Sequence, residues 1–299
     1  MRTVLINTLV EMGKNNPNLI LMTGDLGYSV LEKFQEQFPN QFINAGVAEQ
    51  NMIGVASGMA LAGKTVFVYS IANFPSLRCL EQIRNDLCYH NANVKIISIG
   101  AGFTYGSAGY THHGIEDMAI LRALPNIRVY TPADIRETKA SLENAMLYSC
   151  PCYIRLDKGG SDVLHDGEIK SVERVLPIIE NNSDISILTT GTITHFVYTI
   201  LKEKKLAFSL YSVPVIKPMD IQGISSIVKK SKKIFTVEEH QLDGGFGSAI
   251  LEKIHELFFK GEITKIPLVH RLGFRDFIPK LVGDQNHFRD LLSIEITLN

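Results

Sequence analysis

Asn44-Ala45-Gly46-Val47-Ala48-Glu49-Gln50-Asn51-Met52 sets a glutamate at the mouth of a helix made of small and apolar residues, and the chain reads outward from Glu49. From Asn51 to Lys64 the apolar residues Met52, Ile53, Val55, Ala56, Met59, Ala60, Leu61 and Ala62 point to nearly all sides, which predicts a buried helix. Gly54, Ser57 and Gly58 would let another backbone approach closely. A carboxylate at such a helix start is favoured by the dipole when ionised, while burial disfavours its charge. Local physics alone favours an ordinary acidic first-turn residue over a functional one.

The 299 residues, 45% hydrophobic and 20% charged, suffice for two globular domains with their own cores. Thirty basic side chains against 31 acidic ones leave a formal net charge of -1, which gives no indication of a nucleic-acid surface. Cys79, Cys88, Cys150 and Cys152 lack C-x-x-C spacing and read as reduced, mostly buried thiols. No signal peptide is evident, and no apolar run approaches the roughly 20 residues of a bilayer span, so the expected location is cytoplasmic.

Strands alternate with helices along the chain. Thr3 to Lys14 is helical by periodicity, and Leu19-Ile20-Leu21-Met22 reads as the first buried strand. Gly24-Asp25-Leu26-Gly27 follows at its C-terminal end, where parallel α/β sheets place ligands; Asp25 is equally well a turn-capping aspartate. Phe42 to Asn44, Thr65 to Ser70, Val94 to Ile99, Ile127 to Tyr130 and Tyr153 to Leu156 are further strands, and Leu77 to His90 is predicted as a helix. Asp134 and Glu137 read as a helix start.

Gly100, Gly102, Gly106, Gly109 and Gly114 interleave with Phe103, Tyr105 and Tyr110 before Thr111-His112-His113. No helix opens after these glycines, which argues against a dinucleotide fingerprint. Adjacent histidines on extended backbone point apart, so a metal site built on the pair is not expected. Ser161 to Val175 is polar and reads as a linker.

Gly24-Asp25-Leu26-Gly27 with Phe42-Ile43-Asn44-Ala45-Gly46-Val47-Ala48-Glu49-Gln50-Asn51-Met52 resembles the pyrimidine-binding domain of transketolases. More closely, the chain resembles the C-terminal subunit of a split transketolase. Ile185 to Gly191, Lys233 to Val237, Glu238-Glu239-His240 and Gly244-Gly245-Phe246-Gly247-Ser248-Ala249 resemble the transketolase C-terminal domain. The glycines there imply tight packing, with a phosphate site at the helix start as a lesser alternative. The resemblance implies two three-layer α/β domains with mostly parallel sheets: a pyrimidine-binding domain at 1–160, a linker at 161–175 and a C-terminal-type domain at 176–299.

The resemblance also implies roles. Glu49 matches the glutamate that contacts a ring nitrogen of the aminopyrimidine of thiamine diphosphate and shares a proton with it, so that the ring can deprotonate the thiazolium carbon. Phe74, in Ile71-Ala72-Asn73-Phe74-Pro75, matches an aromatic that stacks on the pyrimidine, and a core phenylalanine is the alternative. Asp25 lies near the cofactor. His112 matches a histidine facing the substrate oxygens, and Lys158 lies roughly where transketolases place an arginine that grips the substrate phosphate, a solvated surface lysine being the somewhat favoured alternative. Ser107-Ala108-Gly109 stands where many transketolases carry an aspartate that reads a substrate hydroxyl, and Tyr110 stands where relatives often have proline.

Thiamine diphosphate enzymes hold the diphosphate through Mg2+ with a Gly-Asp-Gly motif, which does not occur here. The expected enzyme is therefore a transketolase-like transferase completed by a separate N-terminal subunit that supplies the diphosphate site and the metal ligands. The simplest arrangement is a heterotetramer in which two copies of this chain associate, acting on a sugar and on neither nucleic acid nor membrane. Alternatives are the beta subunit of a 2-oxo acid dehydrogenase, an enzyme like deoxyxylulose phosphate synthase, and a non-catalytic scaffold or regulatory subunit. Asn51-Met52 and Thr111-His112-His113 favour the transketolase.

Overall fold

The computed structural model describes residues 1–159, 162–280 and 282–292. Helix α1 (Arg2–Asn15) leads into strand β1 (Leu19–Thr23), α2 (Glu32–Gln37), β2 (Phe42–Asn44), α3 (Glu49–Leu61) and β3 (Thr65–Ile71). A short α4 (Leu80–Gln82) widens into a π turn at Ile83–Cys88, followed by β4 (Val94–Ile99), α5 (Asp117–Ala123), β5 (Arg128–Tyr130), α6 (Ile135–Met146) and β6 (Cys152–Leu156). The second half runs β7 (Leu176–Ile179), β8 (Ile185–Thr189), α7 (Ile193–Glu203), β9 (Ser209–Ser212), β10 (Val215–Lys217), α8 (Ile221–Lys230), β11 (Lys233–Gln241), α9 (Phe246–Phe259), β12 (Leu268–Phe274) and α10 (Gln285–Leu291).

Two mostly parallel sheets result, in the strand orders β10-β5-β6-β4-β3-β1-β2 and β12-β11-β8-β9-β7. Every residue of β1 and β4 is buried, as a strand covered on both faces requires. Alternation along β1 sends Leu19 and Leu21 to the side of α1, α2 and α6, packing with Leu5, Phe34 and Leu142. Ile20 and Met22 face the other way, toward Met52, Ile53 and Leu87. The halves interlock: β10 lies in the second half of the chain yet pairs antiparallel with β5 of the first sheet, and α8 and α9 share a core with α3 and α5 through Ile224, Ile250 and Ile254.

Two features differ from the expectation. Only one side of α3 is covered: Met52, Ile53, Ala56 and Ser57 are buried beside Glu49, whereas Val55 and Leu61 are exposed, as is Val47 just before the helix. A Cβ added at Gly54 or Gly58 would meet nothing within 4 Å, so among the described residues the predicted close approach has no occupant. The segment from Leu77 to His90 is not one regular helix. The Ser57 hydroxyl donates to the Asp86 carbonyl at 2.7 Å and the Asn126 amide to that of Cys88 at 3.1 Å, and the backbone opens into the π turn around them.

The helix start at Asp134 has the predicted form. Its Oδ1 accepts from the N–H groups of Arg136 and Glu137, and the Glu137 carboxylate reaches back to the Ala133 N–H. Asp134 Oδ2 also holds the Leu164 N–H at 2.8 Å. Asp134→Ala is expected to destabilise the fold by about 1–2 kcal/mol, read as a lower urea midpoint at unchanged slope.

Candidate active site

The C-terminal ends of β1, β3 and β4 converge where a doubly covered parallel sheet binds ligands. Glu49 opens α3 there, 2% exposed. Its Oε2 pairs with Arg78 Nη1 at 2.7 Å, while among the described residues Oε1 receives only the Ser70 hydroxyl of β3 at 3.5 Å. A carboxylate has about four lone-pair sites, so Oε1 keeps accepting capacity. Gly24, at the end of β1, leaves the space beside the Glu49 side chain.

Phe74 and His112 meet edge to face, their ring centroids 5.4 Å apart, and the Arg78 guanidinium lies 4.5 Å from the centre of the Phe74 ring. Arg78 thus links Glu49 to Phe74. Asn73 donates to the Thr111 carbonyl at 3.3 Å, while its own Oδ1 is buried without a partner among the described residues. The His112 Nδ1 lies 3.0 Å from the Thr111 hydroxyl, which leaves Nε2 for a ligand.

The two histidines do point apart. His113 is fully buried, its Nε2 3.3 Å from the Gly106 carbonyl and its ring against Phe103 and Phe288. Burial lowers its pKa. The loop owes its shape to the second half of the chain: Phe103 stacks on Phe288 of α10 at 4.2 Å and sits against Phe274 of β12 at 4.8 Å. Gly102, at φ +59°, lies so close to the Glu239 carboxylate that a side chain would collide with it. The Phe103 N–H donates to that carboxylate at 2.7 Å, and Gly102 and Gly114 exchange backbone hydrogen bonds that close the loop.

Asp25 has φ +60°, and its Oδ1 receives the Asn44 amide at 2.8 Å and the Tyr28 hydroxyl at 3.2 Å, tying the turn after β1 to the end of β2. Lys158 is exposed, its ammonium 5.3 Å from the centre of the Tyr105 ring, and Tyr105 in turn lies 6.4 Å from His112. A cavity of about 400 Å³ opens beside Lys158, lined also by Arg2, Thr104, Asp157 and Gln285. Ser107 and Ala108 are exposed, and the Tyr110 hydroxyl donates to Glu116 at 3.0 Å. Among the described residues no three His, Cys, Asp or Glu side chains cluster as metal ligands, and no helix is long and apolar enough to cross a membrane.

The sequence reading missed a buried polar network behind the loop. Arg155 of β6 is 3% exposed; its Nε donates to Asp117 at 2.9 Å and its Nη2 to the carbonyls of Gly114 at 2.5 Å and Glu239 at 3.1 Å. Asp117 also receives the Tyr153 hydroxyl at 2.6 Å, and Glu239 pairs with Arg289 of α10 at 2.5 Å. The signal was a charged residue inside the run Tyr153-Ile154-Arg155-Leu156 of a buried parallel strand, a place where charge survives only if paired. Glu238 fills the start of α9, accepting from the Phe246 and Gly247 N–H groups at 2.6 and 2.7 Å. The chain's own carboxylate therefore occupies the position weighed for a phosphate, and Gly245 and Gly247 provide the close packing.

His240 lies fully buried in this network, its Nδ1 2.7 Å from the Gln241 carbonyl and its Nε2 3.7 Å from Asp117. Burial pushes its pKa from 6.5 down to about 4, although the Asp117 charge opposes the shift. The unfolded chain then binds a proton that the folded chain refuses, so His240 costs stability as pH falls from 6.5 toward 4. Relative to a His240→Gln variant, the wild type should lose about 2–3 kcal/mol between pH 7 and pH 4. Paired urea titrations at both pH values check this, since taking the difference cancels the other titrating groups.

The chain matches the family described as transketolase, pyrimidine binding domain, over residues 1–161, and that described as transketolase, C-terminal domain, over residues 175–280. An apulose-4-phosphate transketolase subunit of Phocaeicola vulgatus is 32% identical over 271 residues, covering 89% of this chain and 87% of the relative. The 6-deoxy-6-sulfo-D-fructose transketolase subunit SqwH of a Clostridium species is 29% identical over 280 residues, covering 92% of this chain and 85% of the relative. A solved structure described as a split gene transketolase, inactive beta4 tetramer, superposes with a TM-score of 0.81 at 32% identity, covering 93% of this chain and 90% of that one.

Proposed function

Because this chain belongs to the transketolase family, we propose that it is the C-terminal subunit of a two-chain, thiamine-diphosphate-dependent enzyme that transfers a two-carbon ketol unit from a ketose to an aldose. The observation that carries the reading is Glu49, a buried carboxylate with an underused oxygen at the C-terminal edge of the sheet, joined through Arg78 to Phe74, which meets the His112 ring edge to face. These residues fit the pyrimidine half of the cofactor. When bound, thiamine diphosphate supplies the electron sink for breaking a carbon–carbon bond next to a carbonyl.

Glu49 Oε1 would exchange a proton with a ring nitrogen of the bound cofactor, while Arg78 fixes the other oxygen and so the plane of the carboxylate. Phe74 gives the pyrimidine a flat apolar wall that excludes water. His112 presents Nε2 to substrate hydroxyl and carbonyl oxygens, with Thr111 steadying the opposite nitrogen. Asp25 shapes the turn at the cofactor's edge, and Lys158 with Arg2 offers positive charge to the anionic end of a sugar. The names of the two relatives, one a 4-phosphate and one a sulfo-sugar enzyme, support a substrate with such an end.

The diphosphate and Mg2+ are assigned to a partner chain, in keeping with the missing Gly-Asp-Gly motif and with the description of both relatives as subunits. The uncovered side of α3, with Val47, Val55, Leu61 and the open Gly54 and Gly58, supplies an apolar, closely approachable surface for assembly, which supports a heterotetramer. The relative described as an inactive beta4 tetramer supports both self-association and the need for a partner.

The test is reconstitution with a chain bearing the Gly-Asp-Gly motif, followed by product analysis with ketose donors and aldose acceptors in parallel with 2-oxo acids. Ketose exchange is expected. Turnover confined to 2-oxo acids would replace this reading with the dehydrogenase or synthase alternative. In the active mixture, His112→Gln should lower kcat about 10²-fold while cofactor binding changes little, read by steady-state kinetics and by titration of thiamine diphosphate.

A further inference from the structure

The cavity of about 400 Å³ beside Lys158 is lined by both halves of the chain: Arg2 and Lys158 come from the first, Asp284, Gln285 and Asn286 from the second. Among the described residues every side chain lining it is polar, so a ligand seated there exchanges its water for hydrogen bonds. The segment from the second half is held from several sides. Phe288 is buried, Arg289 donates to the Thr192 hydroxyl at 2.9 Å, and Gln285 Nε2 donates to Asp157 at 2.9 Å and Glu239 at 3.0 Å. Gly106 of the histidine loop lies against the Gly283 carbonyl, where any side chain would collide. The two lining carboxylates differ in what they have left to offer. Asp157 is spent: its Oδ1 receives the Gly159 N–H at 3.1 Å, and its Oδ2 the Thr192 hydroxyl at 2.8 Å and the Gln285 amide. Asp284 receives the His287 N–H on Oδ1 at 2.8 Å, and among the described residues its Oδ2 receives no hydrogen bond. Arg2 donates through Nε to the Lys158 carbonyl at 3.1 Å and the Lys158 ammonium lies over the Tyr105 ring; among the described residues neither is ion-paired to Asp284. The cavity thus keeps positive charge and an unused carboxylate oxygen that do not cancel each other.

We propose that Asp284 is a specificity-determining residue of the substrate pocket: it accepts a hydrogen bond from the sugar hydroxyl next to the carbon that carries the anionic group, while Arg2 and Lys158 hold the anion. The inference rests on the ketol-transfer reading and adds to it a residue from the second half of the chain. A carboxylate suits the task, because a hydroxyl donates to it more strongly than to a neutral acceptor. Facing the anion itself, the same carboxylate would repel it. The ligand class that satisfies both conditions is a sugar with a hydroxyl beside its terminal phosphate or sulfonate. A sugar with a bare methylene there leaves the Asp284 oxygen without a donor.

The test uses the reconstituted two-chain enzyme with D-xylulose 5-phosphate and D-fructose 6-phosphate as donors, each beside the analogue that lacks the hydroxyl next to the phosphate-bearing carbon. With the better donor, the wild type should favour the hydroxylated sugar in kcat/KM by on the order of tenfold. Asp284→Ser keeps an equally good helix cap, and Asp284→Gly costs the cap little; both withdraw the carboxylate from the cavity. In both variants the preference should fall to about twofold or less, with the thermal midpoint little changed. Each ratio compares two ligands that carry the same phosphate, so any general effect of the lost charge on anion binding cancels. A preference that persists in both folded variants, or a wild type indifferent to the hydroxyl, would overturn the role of Asp284 while leaving ketol transfer in place. Turnover confined to 2-oxo acids would overturn the ketol-transfer reading, and this inference with it.

Discussion

Glu49→Gln is expected to lower ketol transfer by the reconstituted enzyme about 10²–10⁴-fold, the usual worth of a positioned acid–base group. The loss should fall on kcat. Glutamine matches the shape, can still accept from Arg78 with its amide oxygen, and leaves the helix start intact, so the thermal midpoint should move little. What it cannot do is exchange a proton at the buried oxygen that now has the 3.5 Å contact from Ser70. Steady-state kinetics beside a melting curve separates the two effects. Near-normal turnover by a folded Glu49→Gln enzyme would remove Glu49 from the chemistry and favour the scaffold reading.

Arg155→Met should destabilise the chain by about 3–5 kcal/mol, the cost of leaving one member of a buried ion pair without the other. Three acceptors each lose the Arg155 donor at once: Asp117, the Gly114 carbonyl at the root of the histidine loop, and the Glu239 carbonyl of β11. For a chain of this size the thermal midpoint should fall by about 10 °C. Asp117→Asn/Arg155→Met removes the stranded charge and should recover part of the loss, since the penalty comes from an unpaired ion more than from a missing attraction. A single variant within about 1 kcal/mol of wild type in urea titration would mean that the network does not hold the two halves together.

The strand and helix order was legible because it is written locally: continuous apolar runs for the doubly covered strands, a 3.6-residue rhythm for α1, an Asx cap and back-reaching glutamate for α6. Glu49 was legible for a similar reason, as an acid at the start of an apolar helix. Its partner was not. Arg78 lies 29 residues on, and only the turn after β3 brings the two together. The coverage of α3 was misjudged because an apolar composition does not say whether the second covering surface belongs to the same chain. β10 escaped notice as a member of the first sheet, since three residues carry too little pattern to announce a partner strand from the other half. The histidine loop was recognised by its glycines, yet its scaffold, Phe103 on Phe288 and Gly102 against Glu239, depends on residues far along the chain.

The central claim is that this chain carries one half of a cofactor site. Calorimetric titration of thiamine diphosphate with Mg2+ into the chain alone, then into its mixture with a Gly-Asp-Gly-bearing partner, tests it most directly. Saturable, Mg2+-dependent binding in the mixture and none in the isolated chain is the predicted result. Tight Mg2+-dependent binding by the chain alone would contradict the account, because it would require diphosphate and metal ligands within these 299 residues.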